Sequence, residues 1–143
     1  MTVIDTTRTA WNNAAEGWNR HAPEIRTWLR TPTAMKIDLA GIRPGHAVLD
    51  LATRAGPIGQ ITAIDISATI PAFAADAARA ASHRNVKTLT DIAHLPLAGA
   101  RSDAAVCRLG LMFLPDPLKD LRETHRTPQP GARLCAVVFA API

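Results

Sequence analysis

The sequence has few cysteines, no long apolar run and no recognisable leader. Cys107 and Cys135 lie in apolar stretches without Cys-x-x-Cys or Cys/His spacing, so neither a disulfide framework nor a metal site is predicted, and we expect two buried free thiols. The longest apolar run, 134–141, is much shorter than the roughly 20 residues of a membrane-spanning helix. The amino terminus lacks the basic-then-apolar order of a signal peptide. These features predict a cytoplasmic protein without a membrane segment.

Positive charge is in modest excess and is scattered along the chain. Lys and Arg number 16 against 12 Asp and Glu, and the isoelectric point is about 9.8. No basic run, recognition-helix signature or set of aromatics spaced for base stacking accompanies this charge, so a nucleic-acid partner is not expected. With 143 residues, of which 48% are apolar and 20% charged, the chain is predicted to form one globular domain.

The first quarter of the sequence has helical periodicity. Apolar residues recur at i, i+3, i+4 and i+7 from Trp11 to Trp18, which predicts a helix that opens after Thr7 and ends by Pro23. A second helical stretch and a short third one follow, the latter ending at Gly41. All three tryptophans lie in this quarter of the chain.

From residue 43 onward, apolar strand-like runs alternate with helical patterns in the order β, β, α, β, β, α, β. This order predicts an α/β domain with a Rossmann-like open, mostly parallel sheet of about five strands. We divide the single domain into a helical cap segment, 1–42, and a Rossmann-like core, 43–143. Ser67 is placed to cap the first core helix. The predicted strands are 47–52, 60–66, 85–91, 103–107 and 132–139.

Five stretches carry a family resemblance through their order and spacing. They are VLDLATRAG at 48–56, ITAIDIS at 61–67, LTDIAHLPL at 89–97, CRLGLMFLPDP at 107–117 and HRTPQPGARL at 125–134. Together they resemble the class I S-adenosylmethionine-dependent methyltransferases, in particular the type 11 branch that includes the ubiquinone/menaquinone-biosynthesis enzymes. The resemblance implies S-adenosylmethionine as cofactor and methyl transfer to a small-molecule acceptor by in-line displacement. It implies eight cofactor-binding positions: Asp50, Ala52, Gly56, Asp65, Ile66, Asp91, Ile92 and Arg108.

Each of these positions has a role implied by the family. Asp50, Ala52 and Gly56 match the acid and small residues of a glycine-rich loop around the methionine part of the cofactor. Asp65 matches the acid that accepts from both ribose hydroxyls, with Ile66 against the adenine. Asp91 and Ile92 match the residues that accept from the adenine amino group and cover its ring. Arg108 lies where the methionine end and the acceptor meet.

Several of these residues also have a purely structural interpretation. A strand-end aspartate such as Asp65 often caps a helix. Trp11 and Trp18 either wall a substrate pocket or fill the core. No catalytic residue is identified; His21 is the best candidate for a general base, and the competing interpretation is a surface histidine near a helix end.

Two departures from the family pattern leave other functions open. Arg54 stands where the family has glycine, and the link between the first two strands is too short for the usual crossover helix. The strand pair that family members carry after the fifth strand is also missing, which exposes 132–139 as an edge and predicts a homodimer or heteromer through it. The alternatives to methyl transfer are a non-catalytic or repurposed relative, acting as a partner subunit or catalysing other chemistry in the same cleft, and a truncated, decayed or incomplete chain.

Overall fold

The computed structural model describes residues 2–51, 60–89 and 102–140. Three helices precede the first strand, and two more helices and a short 3-10 turn are placed among the five strands. Their bounds are α1 Val3–Arg20, α2 Ala22–Trp28, α3 Arg30–Ala40, β1 Ala47–Leu51, β2 Gln60–Ile64, α4 Thr69–Ala80, β3 Val86–Leu89, β4 Ser102–Arg108, the 3-10 turn Leu111–Phe113, α5 Pro117–Arg126 and β5 Pro128–Val137.

The five strands form one sheet in the order β3-β2-β1-β4-β5, and every neighbouring pair is parallel. In this register Leu51 lies opposite Ile64 on one side and Cys107 on the other. The carboxyl ends of β1, β2 and β4 therefore meet at one edge of the sheet. The predicted Rossmann-like α/β fold is confirmed.

The three inner strands, β1, β2 and β4, are buried on both faces, which explains why they read as apolar runs rather than alternating patterns. One face packs around the fully buried side chains of Leu49, Leu51 and Ile64. On the other face, Val48 and Val106 pack beneath Ala40 of α3. The inner strands β1, β2 and β4 thus carry most of the core.

Two element starts differ from the sequence prediction by four residues or more, and β2 and β5 each end two residues earlier than predicted, at Ile64 and Val137. Helix α1 begins at Val3 rather than after Thr7, because Thr2 and Asp5 form a capping box: the Thr2 hydroxyl accepts from the Asp5 N–H at 3.2 Å, and the Asp5 carboxylate accepts from the Thr2 N–H at 3.0 Å. Strand β5 begins at Pro128, four residues before the predicted 132, since a proline is tolerated at the start of an edge strand. Cys107 is buried as expected, whereas Cys135 is only half-buried.

Eight residues separate β1 from β2 in the sequence, compared with the dozen or more of a usual crossover between parallel strands. The predicted loss of the crossover helix concerns these residues, 52–59, which lie outside the described part of the chain. Within the described ranges, no helix is both long and apolar enough to cross a bilayer.

Candidate functional site

A pocket opens where the carboxyl ends of β1, β2 and β4 meet. It encloses about 660 Å³, part of it open to solvent. The strands contribute Leu51, Ile64, Cys107 and Arg108, and the turns after β2 and β4 contribute Asp65, Ile66 and Gly110. This is the edge at which open parallel sheets bind their ligands. Helix α1 closes one side of it with Trp11 and Trp18, and the 3-10 turn adds Phe113.

Asp65 is held in the pocket wall by the turn that follows β2. Its Oδ1 accepts from the N–H of Ser67 at 2.9 Å, and the residue is only 8% exposed. Burial raises the pKa of the carboxyl from 3.8 to about 6, against the opposing effect of the backbone N–H donors of Ser67 and Ile66. A buried carboxylate with remaining acceptor capacity is suited to a ligand that brings hydroxyl donors.

The helix-capping role belongs to Ser67 rather than to Asp65. The Ser67 Oγ accepts from the N–H groups of Thr69 and Ile70, at 3.1 and 3.2 Å, and donates to Asn12 Oδ1 at 2.7 Å. The hydroxyl therefore satisfies the start of α4, as predicted, and also connects it to α1. Asp65 shapes the preceding turn and faces the pocket.

Arg108 ends β4 and forms another part of the pocket wall. Its Nη1 donates to Thr33 Oγ1 on α3 at 3.3 Å. Burial lowers the pKa of the guanidinium; Asp50 opposes this effect, and the nearby Arg26 adds to it. The pocket thus has a cation at the end of β4 and a carboxylate at the end of β2.

Three aromatic rings form the outer wall. Trp11 meets Phe113 edge-to-face at 4.9 Å between ring centroids, and it meets Trp18 in the same manner at 5.9 Å. Both tryptophans border the pocket, which supports their interpretation as pocket residues over that as core filling. Phe113 was missed in the sequence because nothing in a short turn after β4 indicates that it reaches α1.

Asp50 is buried, yet it is not among the described residues that line the pocket. It acts electrostatically on Lys36 of α3, a buried lysine whose pKa is lowered by desolvation and raised in part by Asp50. His21 is exposed at the junction of α1 and α2, and it too is not in the described lining. The remaining predicted positions lie outside the described residues: Ala52, Arg54, Gly56, Asp91 and Ile92. In the described ranges no group of three or more His, Cys, Asp or Glu is placed to hold a metal ion.

Fold and site together define a nucleotide-binding type of α/β domain. The sheet is parallel, a pocket lies at its strand ends, and a carboxylate follows the second strand beside apolar side chains. The chain belongs to a methyltransferase domain family of type 11, which matches residues 39–136.

Individual relatives agree with this membership. The chain is 30% identical over 136 residues to the ubiquinone/menaquinone biosynthesis C-methyltransferase UbiE of Haemophilus ducreyi, in an alignment covering 82% of this chain and 49% of the relative. It is 29% identical over 129 residues to the demethylmenaquinone methyltransferase of Desulfitobacterium hafniense, covering 89% and 50% respectively. Among solved structures, a SAM-dependent methyltransferase from Aquifex aeolicus superposes with a TM-score of 0.65 at 25% identity, covering 72% of this chain and 61% of that one. The chain spans about half the length of the curated relatives it matches.

Family and neighbours imply S-adenosylmethionine as the cofactor, and the described pocket residues fit its chemistry. The Asp65 carboxylate can accept from ribose hydroxyls, and the apolar side chains of Ile66 and Ile70 line the same wall for a flat base. The Arg108 guanidinium is a suitable partner for a carboxylate at the opposite end of such a ligand.

Proposed function

We propose that the domain binds S-adenosylmethionine in this pocket and transfers its methyl group to a small-molecule acceptor. The observation that carries the proposal is the placement of Asp65, a buried carboxylate at the end of β2, in a pocket walled by Ile66 and Arg108. Family membership favours methyl transfer over the non-catalytic alternative.

The chemistry requires positioning more than a fixed set of catalytic groups. When bound, S-adenosylmethionine would supply an electrophilic methyl on its sulfonium; the acceptor would bond to the methyl carbon in line with the C–S bond that breaks, and S-adenosylhomocysteine would leave. Asp65 and Arg108 anchor the two polar ends of the cofactor, at the ends of β2 and β4. The space between these two ends is shielded from water by Trp11, Trp18 and Phe113. Aromatic rings also attract a neighbouring sulfonium through cation–π interaction.

Calorimetric titration with S-adenosylmethionine and S-adenosylhomocysteine tests the proposal. We expect micromolar binding by the wild-type chain and a loss of at least about tenfold in Asp65→Ala, because the ribose hydroxyls lose a charged acceptor. Asp38→Ala, which removes an exposed carboxylate from α3, is the matched control and should bind as the wild type does. The absence of both heat and a thermal shift at millimolar ligand would exclude this function.

We propose further that β5 pairs with a second copy of the chain. In the described sheet β5 is a terminal strand, and apolar side chains are exposed along and just beyond it at Leu134, Val138 and Phe139. Phe139 stacks on Trp28 of α2 at 5.8 Å, and Trp28 is itself 60% exposed. An apolar edge strand beside an apolar patch is the profile of an interface.

Light scattering at increasing protein concentration measures this association. We expect a dimer for the wild type and a monomer for Leu134→Lys, because a charge on an edge strand opposes pairing. Leu118→Lys places the same charge on an exposed apolar residue of α5 and should leave the mass unchanged. A wild-type monomer at high concentration would contradict the interface.

A further inference from the structure

The chain leaves β4 through a residue in the left-handed backbone conformation. Leu109 has a φ of 58°, a region that residues other than glycine avoid because the Cβ atom comes too close to the following carbonyl oxygen. Among the residues that the structure describes, Ser82 is the one other non-glycine residue with a positive φ. It follows the end of α4, where helices often close in this way. No helix ends at Leu109, so this explanation does not apply to it.

Contacts on both sides hold Leu109 in place. Its N–H donates to the carbonyl oxygen of Val137 at 2.8 Å, which continues the pairing of β4 with β5. Its side chain is only 6% exposed and lines the pocket at the strand ends. Burial raises the pKa of the Cys107 thiol, and the backbone N–H groups of Gly110 and Leu111 oppose this effect. The chain after Leu109 therefore folds back over the end of β4.

This bend brings consecutive residues into one pocket. All four residues of 107–110 belong to the pocket lining. In an extended strand successive side chains point to opposite faces of the sheet, so a straight continuation of β4 would turn every second side chain away. Arg108 precedes the bend and Phe113 follows it, yet both border the pocket. The conformation of Leu109 thus sets the direction in which both neighbouring segments present their side chains.

We propose that Leu109 is a positioning residue for the cofactor site. Its left-handed conformation keeps Arg108 and Phe113 on the same pocket, where the guanidinium meets one end of the cofactor and the ring shields the space beside it. Glycine would adopt this conformation without strain but would add no apolar surface to the lining. The inference rests on the proposed function, and it adds a residue that acts through its neighbours.

Two variants of similar volume separate the backbone conformation from the size of the side chain. Leu109→Met and Leu109→Ile both remain apolar, but the branched Cβ of isoleucine opposes a positive φ. Calorimetric titration with S-adenosylhomocysteine, well below the unfolding temperature, should give the wild-type affinity for Leu109→Met. For Leu109→Ile we expect an affinity at least about fivefold lower. Equal affinities of the two variants would overturn the inference.

A second pair of variants serves if Leu109→Ile does not fold. Leu109→Gly and Leu109→Ala both remove the side chain, and glycine alone adopts the left-handed conformation freely. Leu109→Gly should therefore bind S-adenosylhomocysteine at least about threefold more tightly than Leu109→Ala. Tighter binding by Leu109→Ala would contradict a role of the backbone conformation.

Ser82→Ile is the control for a purely structural effect. It places the same branched side chain at the other left-handed position, which is exposed and outside the described pocket lining. We expect a lower unfolding temperature, as for Leu109→Ile, with an unchanged affinity for S-adenosylhomocysteine. A loss of affinity in Ser82→Ile equal to that in Leu109→Ile would show that reduced stability weakens binding, and the positioning role would be refuted.

A spectroscopic measurement distinguishes failure of this inference from failure of the proposed function. Near-ultraviolet circular dichroism is sensitive to the edge-to-face contact between Trp11 and Phe113. The signal should change in Leu109→Ile and stay unchanged in Leu109→Met and Ser82→Ile. If the wild type binds no S-adenosylhomocysteine, methyl transfer is refuted, and the same change in the spectrum still supports positioning of Phe113 by Leu109. If the wild type binds and Leu109→Ile matches it in affinity and spectrum, the proposed function stands and the inference is wrong.

Discussion

Burying the ionised carboxyl group of Asp65 costs more free energy than its local hydrogen bonds offset. Its pKa in the folded protein is about 6, raised from 3.8 chiefly by desolvation. Ionising Asp65 therefore costs about 3 kcal/mol more free energy in the folded protein than in the unfolded chain, for a difference of about two pKa units. Residues kept at such a cost are often functional, and this one faces the pocket.

The Asp65→Asn variant should consequently be more stable than the wild type at neutral pH, by about 1–3 kcal/mol. The amide oxygen can still accept from the Ser67 N–H, while the buried charge is gone. The raised pKa means that the wild type gains protons on folding between about 3.8 and 6, so the contribution of Asp65 to stability is lost as the pH rises through this range and stays lost above it. Denaturant unfolding at pH 4 and pH 7.5 measures both effects.

The stabilisation by Asp65→Asn should be large at pH 7.5 and small at pH 4. Asp38→Asn, which changes an exposed carboxylate on α3, should differ from the wild type by less than about 0.5 kcal/mol at both pH values. A stability difference for Asp65→Asn that is the same at both pH values would show that the carboxyl is not desolvated as described.

Helix α4 depends on a single hydroxyl that joins it to α1. Ser67 is completely buried, and its Oγ serves two helix N–H groups and Asn12 at once. Ser67→Ala should destabilise the fold by about 1–2 kcal/mol, because a helix cap and a hydrogen bond between helices are lost together. Thermal or denaturant unfolding gives the value.

A double-mutant cycle separates the two contributions. Asn12→Ala removes only the contact with α1, so the coupling energy between Ser67 and Asn12 should be about 0.5–1.5 kcal/mol. The adjacent Asn13, which is exposed, provides the control: Asn13→Ala should couple to Ser67→Ala by less than about 0.3 kcal/mol. Full additivity of Asn12→Ala and Ser67→Ala would contradict the proposed connection between the helices.

The elements were predictable where the signal is local. The period of apolar residues predicts the helices and strands, and the family resemblance implies that Asp65 and Arg108 belong to one site. The start of α1 was placed too late, because a capping box formed by Thr2 and Asp5 outweighs the apolar period that begins further on.

The place of Phe113 in the pocket was not predictable, for a physical reason. Its ring borders the pocket only because α1 crosses the end of the sheet and brings Trp11 to 4.9 Å from it, between ring centroids. Nothing in the local sequence around Phe113 indicates a contact with a helix about a hundred residues earlier in the chain.

For the molecule as a whole, protonation of Asp65 has opposite effects on stability and on ligand binding: it stabilises the ligand-free fold and weakens the binding of the ligand. An ionised Asp65 is unfavourable for the ligand-free fold, but it is the form that accepts from two ribose hydroxyls at once. Binding therefore favours deprotonation and lowers the pKa of Asp65 from its value of about 6 in the free protein. A pH low enough to protonate Asp65 thus stabilises the ligand-free domain and at the same time weakens binding at the cofactor site.

The affinity for S-adenosylhomocysteine should accordingly be nearly constant above about pH 7 and should fall below pH 6, approaching a tenfold loss per pH unit. Calorimetric titration between pH 5 and pH 8, in buffers of different ionisation enthalpy, gives both the affinity and the number of protons released. The Asp65→Asn variant should bind more weakly than the wild type at pH 8 and should show a flat profile, since its side chain does not titrate. A wild-type profile that is also flat, with no proton released at pH 6, would mean that Asp65 does not contact the ligand. In that case the thermal midpoint of the ligand complex would follow that of the free protein across the whole pH range.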